Sequence, residues 1–178
     1  MKISNCNSIA ILLATYKAEK YLCDQLDSLL SQTNTDWTCY CQDDGSPDKT
    51  VSILSEYSVN YPRHFVVVDH GLTRQGCANN FLTLLNCIES KYYMFCDQDD
   101  VWLPDKIQLS FDRMKQIEVS HLDNPILIHT DRIFVDETLN VLQASEWNPR
   151  NKPQIEIENK INSLHHLNIL AIYNVCAG

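Results

Sequence analysis

An α/β fold with an open, mostly parallel sheet and helices on both faces is what the sequence predicts. Three observations carry this. Short apolar runs alternate with amphipathic stretches four times between residues 9 and 117, the connections between them are short, and the first run is apolar throughout. Repeated strand–helix alternation with short links is the pattern of right-handed crossover units, and an unbroken apolar run suits a strand buried on both faces.

Taken in order, Ile9 to Ala14 is the first strand. From Tyr21 the period changes: Leu22, Leu26, Leu29 and Leu30 fall on one face of a helix ending near Gln32. Trp37 to Gln42 is the second strand, stopped by Asp43-Asp44-Gly45-Ser46-Pro47-Asp48, in which Ser46 is a candidate helix cap and Pro47 fits a first turn. The helix so opened should carry Leu54, Tyr57 and Tyr61 inward. Phe65 to Val68 is the third strand, followed by a loop with Gly71 and Gly76 and a helix with Phe81, Leu84, Leu85 and Ile88 at helical spacing. Tyr92 to Cys96 is the fourth strand. Asp97-Gln98-Asp99-Asp100 follows it as a loop, and Pro104 opens a helix through Ile107, Phe111, Met114 and Ile117. Beyond Pro125, Ile126 to His129 and Ile133 to Val135 read as strands, Val141 to Ala144 pairs with the latter across Leu139-Asn140, and Ile155 to Leu167 has a mixed helical pattern.

At 178 residues, with 44% hydrophobic and 21% charged residues and only 4 Gly and 6 Pro, the chain is long enough for one core and short for two domains. A net charge of −9 has the wrong sign for a protein that binds by neutralising nucleic-acid phosphates, so an anionic ligand would need local help such as a metal. The eight cysteines contain no C-x-x-C pair, and Cys39 and Cys41 would share one face of a strand as small core residues. The apolar run near the amino terminus, six residues from Ile9 to Ala14, is too short for a spanning helix or a secretory core.

In an open α/β sheet, ligands bind outside the carboxyl ends of the strands, where loops converge and helix amino termini point at the crevice. The strand ends here are Thr15-Tyr16-Lys17, Asp43-Asp44, Asp69-His70 and Asp97-Gln98-Asp99-Asp100. Of the 23 acidic residues, seven lie in the two loops 43–48 and 97–105, an arrangement that repels itself unless solvated or bound to a cation. Asp-Asp-Gly-Ser is also a good turn and cap sequence. The carboxylates after the apolar fourth strand point more directly to Mg²⁺ or Mn²⁺. Tyr16 can stack on a flat base or pack on the first helix, and Arg74 can meet a diphosphate or face solvent. His70, His121, His129, His165 and His166 have no metal-ligand spacing and are read as surface or core histidines.

The segments Ile9 to Tyr16, Tyr21-Leu22, Gln25 to Thr33 and Asp43 to Ser46 together resemble the opening of family 2 glycosyltransferases of the GT-A fold. Phe95 to Ile107 is similar to their metal-binding D-x-D segment. His129-Thr130-Asp131 with Val135-Asp136 and Leu139 is similar to the next block of a bacterial rhamnosyltransferase-like branch. The resemblance implies a single glycosyltransferase domain over 1–178, with a nucleotide-sugar-binding, Rossmann-like part at 1–120 and the start of an acceptor-side part at 121–178. It implies Thr15 and Tyr16 against the donor, Tyr16 on the base, Asp43 receiving the base's ring N–H with Asp44 beside it, and Arg74 as a nucleotide contact. Asp97 and Gln98 would face the ribose and the metal's water shell. Asp99, with Asp97, would bind a Mn²⁺ or Mg²⁺ that bridges the donor phosphates, and Asp100 would support the loop.

The implied reaction is transfer of a sugar from a nucleotide-diphosphate sugar to an acceptor hydroxyl with inversion, in bacterial surface polysaccharide synthesis. The acceptor would be a saccharide or lipid-linked, with no nucleic-acid partner, in the cytoplasm at the inner face of the membrane. Lys17 stands where the family commonly has Asn. Tyr173 to Gly178 resembles the lead-in to a segment that continues in the family, so the expectation is a chain cut short at its carboxyl terminus, with the general base beyond Gly178; Asp131 matches a different block and is not assigned. Two other readings stand beside this one. In a haloacid-dehalogenase-like phosphatase, Asp97-x-Asp99-x-Val101 would be the nucleophile loop. In a non-catalytic nucleotide-binding remnant, the donor half alone would be kept.

Overall fold

The computed structural model describes residues 2–69, 71, 74–120 and 125–145, together with the backbone of 174–177. In chain order the elements are β1 (Ile3–Ser4), β2 (Ile9–Thr15), α1 (Leu22–Leu30), β3 (Trp37–Asp43), α2 (Thr50–Asn60), β4 (Phe65–Val67), α3 (Cys77–Cys87), β5 (Ile88–Glu89) and β6 (Tyr92–Cys96). They continue as β7 (Asp100–Trp102), α4 (Lys106–Glu118), β8 (Arg132–Val135), β9 (Val141–Gln143) and β10 (Asn174–Ala177). The chain divides into two compact units: Met1–Asp27 with Thr35–Asp100, and Ser28–Asn34 with Val101–Gly178.

The first unit is built on a four-stranded sheet in the order β4-β3-β2-β6, parallel at every pairing. All seven residues of β2 are buried, which is what its unbroken apolar run requires of a central strand covered on both faces. Alternate residues divide the core. Ala10, Leu12 and Tyr40 pack with Leu84 of α3 and with Ile88. On the opposite face Cys96 receives a hydrogen bond from Gln25 of α1, and Phe65, paired with Cys39, meets Tyr57 of α2 edge-on. Helices therefore cover both faces, as expected. Cys39 and Cys41 do share one face, their sulfurs 3.7 Å apart, and burial pushes the Cys39 thiol well up. The seven described cysteines are free thiols.

Several local expectations are corrected. Helix α2 begins at Thr50, not at Ser46-Pro47: Asp48 accepts the Thr50 backbone N–H and hydroxyl, whereas the Ser46 hydroxyl turns back to Asp43. Tyr61 lies past the end of that helix and is exposed, and Leu85 is exposed on α3. Asp100 starts β7 instead of ending a loop. Strands β1 and β5 form a separate parallel pair that two-residue segments do not announce.

In the second unit the order is β7-β10-β8-β9, with β10 parallel to β8 and β9 antiparallel to it. The turn between β8 and β9 holds Leu139 at φ 62° and centres on Asp136, whose carboxylate accepts from Thr138 and Asn140 and is held down at about 2 by these bonds. Residues 126–129 carry no regular structure, against the strand expected there: from 125 to 130 exposed and half-buried residues alternate, and none is buried. Gln32 joins α1's carboxyl end to α4, its Oε1 accepting the Ile107 N–H at 3.1 Å. The helical pattern at 155–167 lies outside the described residues.

Candidate functional site

Parallel pairing brings three strand ends to one height. Thr15 is in register with Asp43 across β2 and β3, and Leu13 with Cys96 across β2 and β6. The residues after β3 and β6 thus flank the end of β2, and a cleft of about 150 Å³ opens there, lined by Ala14, Thr15, Tyr16, Asp44, Cys77, Asn80, Asp97, Gln98 and Asp99. Ligand pockets for drug-sized molecules run to roughly 300–1,000 Å³. The recess thus fits the polar centre of a ligand and leaves its ends to the open rim.

Six of the predicted site residues line this cleft, namely Thr15, Tyr16, Asp44, Asp97, Gln98 and Asp99; Asp43 and Arg74 do not. Adjacent residues at a strand end point to opposite sides, and this separates the two aspartates. The Asp43 oxygens are taken by the Thr15 hydroxyl at 3.0 Å, the Ser46 hydroxyl at 2.6 Å and the backbone N–H groups of Gly45 and Ser46 at 2.9 and 2.7 Å. Four bonds fill a carboxylate's acceptor capacity. Asp44 is buried, 5% exposed, and faces the cleft while accepting the backbone N–H groups of Gln75 and Gly76 at 2.7 and 2.9 Å. Each Asp44 oxygen keeps a lone pair.

Asp44 thereby ties down the loop that leads into α3. Arg74 donates its backbone N–H to the Asp44 carbonyl and sits at φ 59°; its side chain is exposed. Gly76, at φ 81°, is where this turn needs a residue without Cβ.

Asp97 and Asp99 are both exposed on the cleft side of the β6 end. Their field is felt across the cleft. The Cys77 thiol, in the first turn of α3, is pushed up by partial burial and then by the charges of Asp97, Asp44 and Asp99. Three carboxylates therefore converge on one recess, an arrangement that favours a cation there. Among the described residues no group of three or more His, Cys, Asp or Glu side chains forms a ready cage. A Mg²⁺- or Mn²⁺-type ion held by one or two carboxylates together with phosphate oxygens and water needs no such cage.

Tyr16 is 42% exposed with the Lys17 ammonium 5.3 Å from its ring centre. Gln98 does not extend freely into the cleft: its Oε1 accepts the Tyr16 N–H at 2.6 Å and its Nε2 donates to the Tyr16 carbonyl at 3.1 Å.

Sequence reading missed Asn80 and Cys77. Asn80 is 1% exposed, and its Oδ1 accepts from the Gln42 amide at 3.2 Å beneath the cleft. Its signal was present, since an amide at the inward position four residues before Leu84 of an otherwise apolar helix face marks a polar group buried for a reason. Asp131 is buried, accepting the Ser145 hydroxyl and the Arg132 N–H, so its carboxylate is engaged within its own unit.

An open parallel sheet with a cleft outside the carboxyl ends of its strands is the architecture in which α/β proteins bind their ligands. The sequence model of glycosyl transferase family 2 matches residues 10–172, and the chain belongs to that family. It is similar to the dTDP-rhamnosyl transferase RfbG of Shigella flexneri, with 32% identity over 103 residues, covering 56% of this chain and 36% of that protein. Its fold is similar to that of S. aureus TarS 1-349 in complex with UDP, at TM-score 0.57 and 22% identity over 71% of this chain and 36% of that one. It is also similar to that of the mannosyltransferase PcManGT from Pyrobaculum calidifontis in complex with GDP-Man and Mn²⁺, at TM-score 0.50 and 20% identity over 73% and 36%. The chain spans about a third of the length of each. Membership of this family leaves the phosphatase reading of Asp97 without support. Among the described residues no helix is long and apolar enough to cross a membrane.

Proposed function

We propose that the chain carries the donor-binding part, residues 1–120, and the start of the acceptor-side part, residues 121–178, of an enzyme that transfers a sugar from a nucleoside-diphosphate sugar to an acceptor hydroxyl with inversion. The observation that supports this most is the meeting of Asp44, Asp97 and Asp99 in one recess at the ends of three parallel strands. The base end of the donor lies between Tyr16, whose exposed ring offers a stacking face, and Asp44, whose free lone pairs accept a ring N–H. This moves to Asp44 the role the resemblance implied for Asp43, whose oxygens are already filled. Thr15 fixes the Asp43 turn, and Arg74 reaches the nucleotide from the loop that Asp44 holds.

Asp99, with Asp97, would hold Mn²⁺ or Mg²⁺, which would neutralise charge growing on the leaving diphosphate. In the transfer the acceptor oxygen attacks the anomeric carbon from the face opposite the diphosphate, the carbon–oxygen bond to phosphate breaks, and a carboxylate base takes the hydroxyl proton. None of residues 1–178 is assigned as that base. The acceptor we favour is a saccharide or lipid-linked saccharide of bacterial surface polysaccharide assembly at the inner face of the membrane, as the sequence resemblance implies.

Isothermal titration with UDP and dTDP, with and without Mn²⁺, tests the donor site. Wild-type chain should bind at least one of them more tightly with the metal, and Asp99→Ala should lose that enhancement while keeping its circular dichroism spectrum. An Asp99→Ala chain with undiminished enhancement refutes the assignment. Binding with no transfer to any saccharide or lipid-linked acceptor is the outcome expected of a nucleotide-binding remnant.

A further inference from the structure

Beyond Leu13 and Cys96 the ladder between β2 and β6 stops, yet the two segments are joined again between Tyr16 and Gln98. There the Gln98 side chain takes the place of a peptide group. Its Oε1 accepts from Tyr16 N–H at 2.6 Å and its Nε2 donates to Tyr16 C=O at 3.1 Å, so a primary amide completes both backbone bonds that a neighbouring strand would have made. Among side chains, only Gln and Asn offer an acceptor and a donor side by side; Asn is one methylene shorter, and Glu would turn an oxygen toward the Tyr16 carbonyl.

The clamp joins two parts of the cleft with different duties. Tyr16 presents an exposed ring at one side, and Gln98 lies between the two exposed carboxylates at the other. We propose that Gln98 is a positioning residue that fixes the distance between the Tyr16 ring and the Asp97–Asp99 carboxylates, so that the base end and the phosphate end of one nucleotide are held at once. This rests on the donor-site reading above. One lone pair of its Oε1 and one N–H of its Nε2 are engaged with Tyr16, so Gln98 acts on the nucleotide through Tyr16 and the two aspartates.

Two ends held at a fixed spacing act as a bivalent site, in which the second contact forms at a high effective concentration. Loosening that spacing weakens binding when both ends are engaged and leaves a single-ended contact almost unchanged. Gln98→Met keeps the length of the side chain and removes both hydrogen bonds. The Mn²⁺ enhancement of UDP affinity, read as the ratio of dissociation constants without and with the metal, should fall roughly tenfold in this variant, with the metal-free constant nearly unchanged. Hydrogen exchange at the Tyr16 amide, measured without nucleotide, should accelerate in the same variant.

An equal loss of affinity with and without Mn²⁺ is what a merely structural role gives, and it overturns the proposal while leaving the donor site standing. Unchanged exchange at Tyr16 overturns it as well, since the clamp is then not made. If the wild-type chain binds neither UDP nor dTDP under any metal condition, the donor-site reading falls and takes this proposal with it.

Discussion

Replacing Asp44 by Asn is the most searching test of how the cleft is built. The carboxylate accepts two backbone N–H groups, from Gln75 at 2.7 Å and Gly76 at 2.9 Å, and is 5% exposed. Asparagine has one acceptor oxygen, so one of the two N–H groups would face an amide NH₂ and the other would lose its charged partner. Hydrogen bonds to charged groups contribute about 1.5–3 kcal/mol each. Losing one and weakening the other lowers the local stability of the 74–76 loop by about 2–4 kcal/mol. Protection of the Gln75 and Gly76 amides from hydrogen exchange should therefore drop by roughly 30- to 700-fold, while amides in the middle of β2 keep theirs. UDP affinity should fall at least roughly tenfold, since the acceptor proposed for the base is weakened together with the loop that frames it. The assay is amide exchange followed by NMR on the wild-type and variant chains, paired with calorimetry. A change in protection below about threefold at both amides would show that the loop is held by something else, and the reasoning from Asp44 would fail.

Two further outcomes are expected. Leu84 is fully buried in the cluster with Leu12, Tyr40 and Ile88, so Leu84→Ala should lower unfolding stability by about 2–5 kcal/mol in urea titration, and a loss under about 1 kcal/mol would refute tight packing of α3 on the sheet. The Cys77 thiol holds its proton more tightly folded than unfolded. Its alkylation by iodoacetamide, followed on the Cys77 peptide by mass spectrometry, should thus reach half its limiting rate above pH 9.0, and stability should decline as pH rises through that range. Asp97→Asn should move the profile to lower pH, and an unmoved profile would remove that carboxylate as a cause.

The sheet was legible in the sequence because β2, β3 and β6 are apolar runs bounded by turn residues, and the acidic strand ends followed from it. The choice between Asp43 and Asp44 was not legible. Both sit in one turn, and only the register of β3 with β2 decides which side chain points into the cleft and which is consumed by the turn. The engagement of Gln98 was not legible for a related reason: an amide between two aspartates gives no sign of its partner, and its bond to Tyr16, 82 positions away, is a tertiary fact. The strand expected at 126–129 had the apolar residues but no buried face to use them on. At α2, Ser46-Pro47 had the right chemistry for a helix start, but Asp43 recruited the serine first.

Strand β2 pairs on both sides, whereas β6 pairs with β2 alone among the described strands of its sheet. The cleft is thus made of one wall anchored twice and one anchored once. Substitutions at the Thr15 end should be felt across the whole sheet, whereas the Asp97–Asp99 wall depends on one ladder and on the Gln98–Tyr16 bonds. Such unequal anchoring predicts that tolerance to mutation will be distributed unevenly around a single pocket.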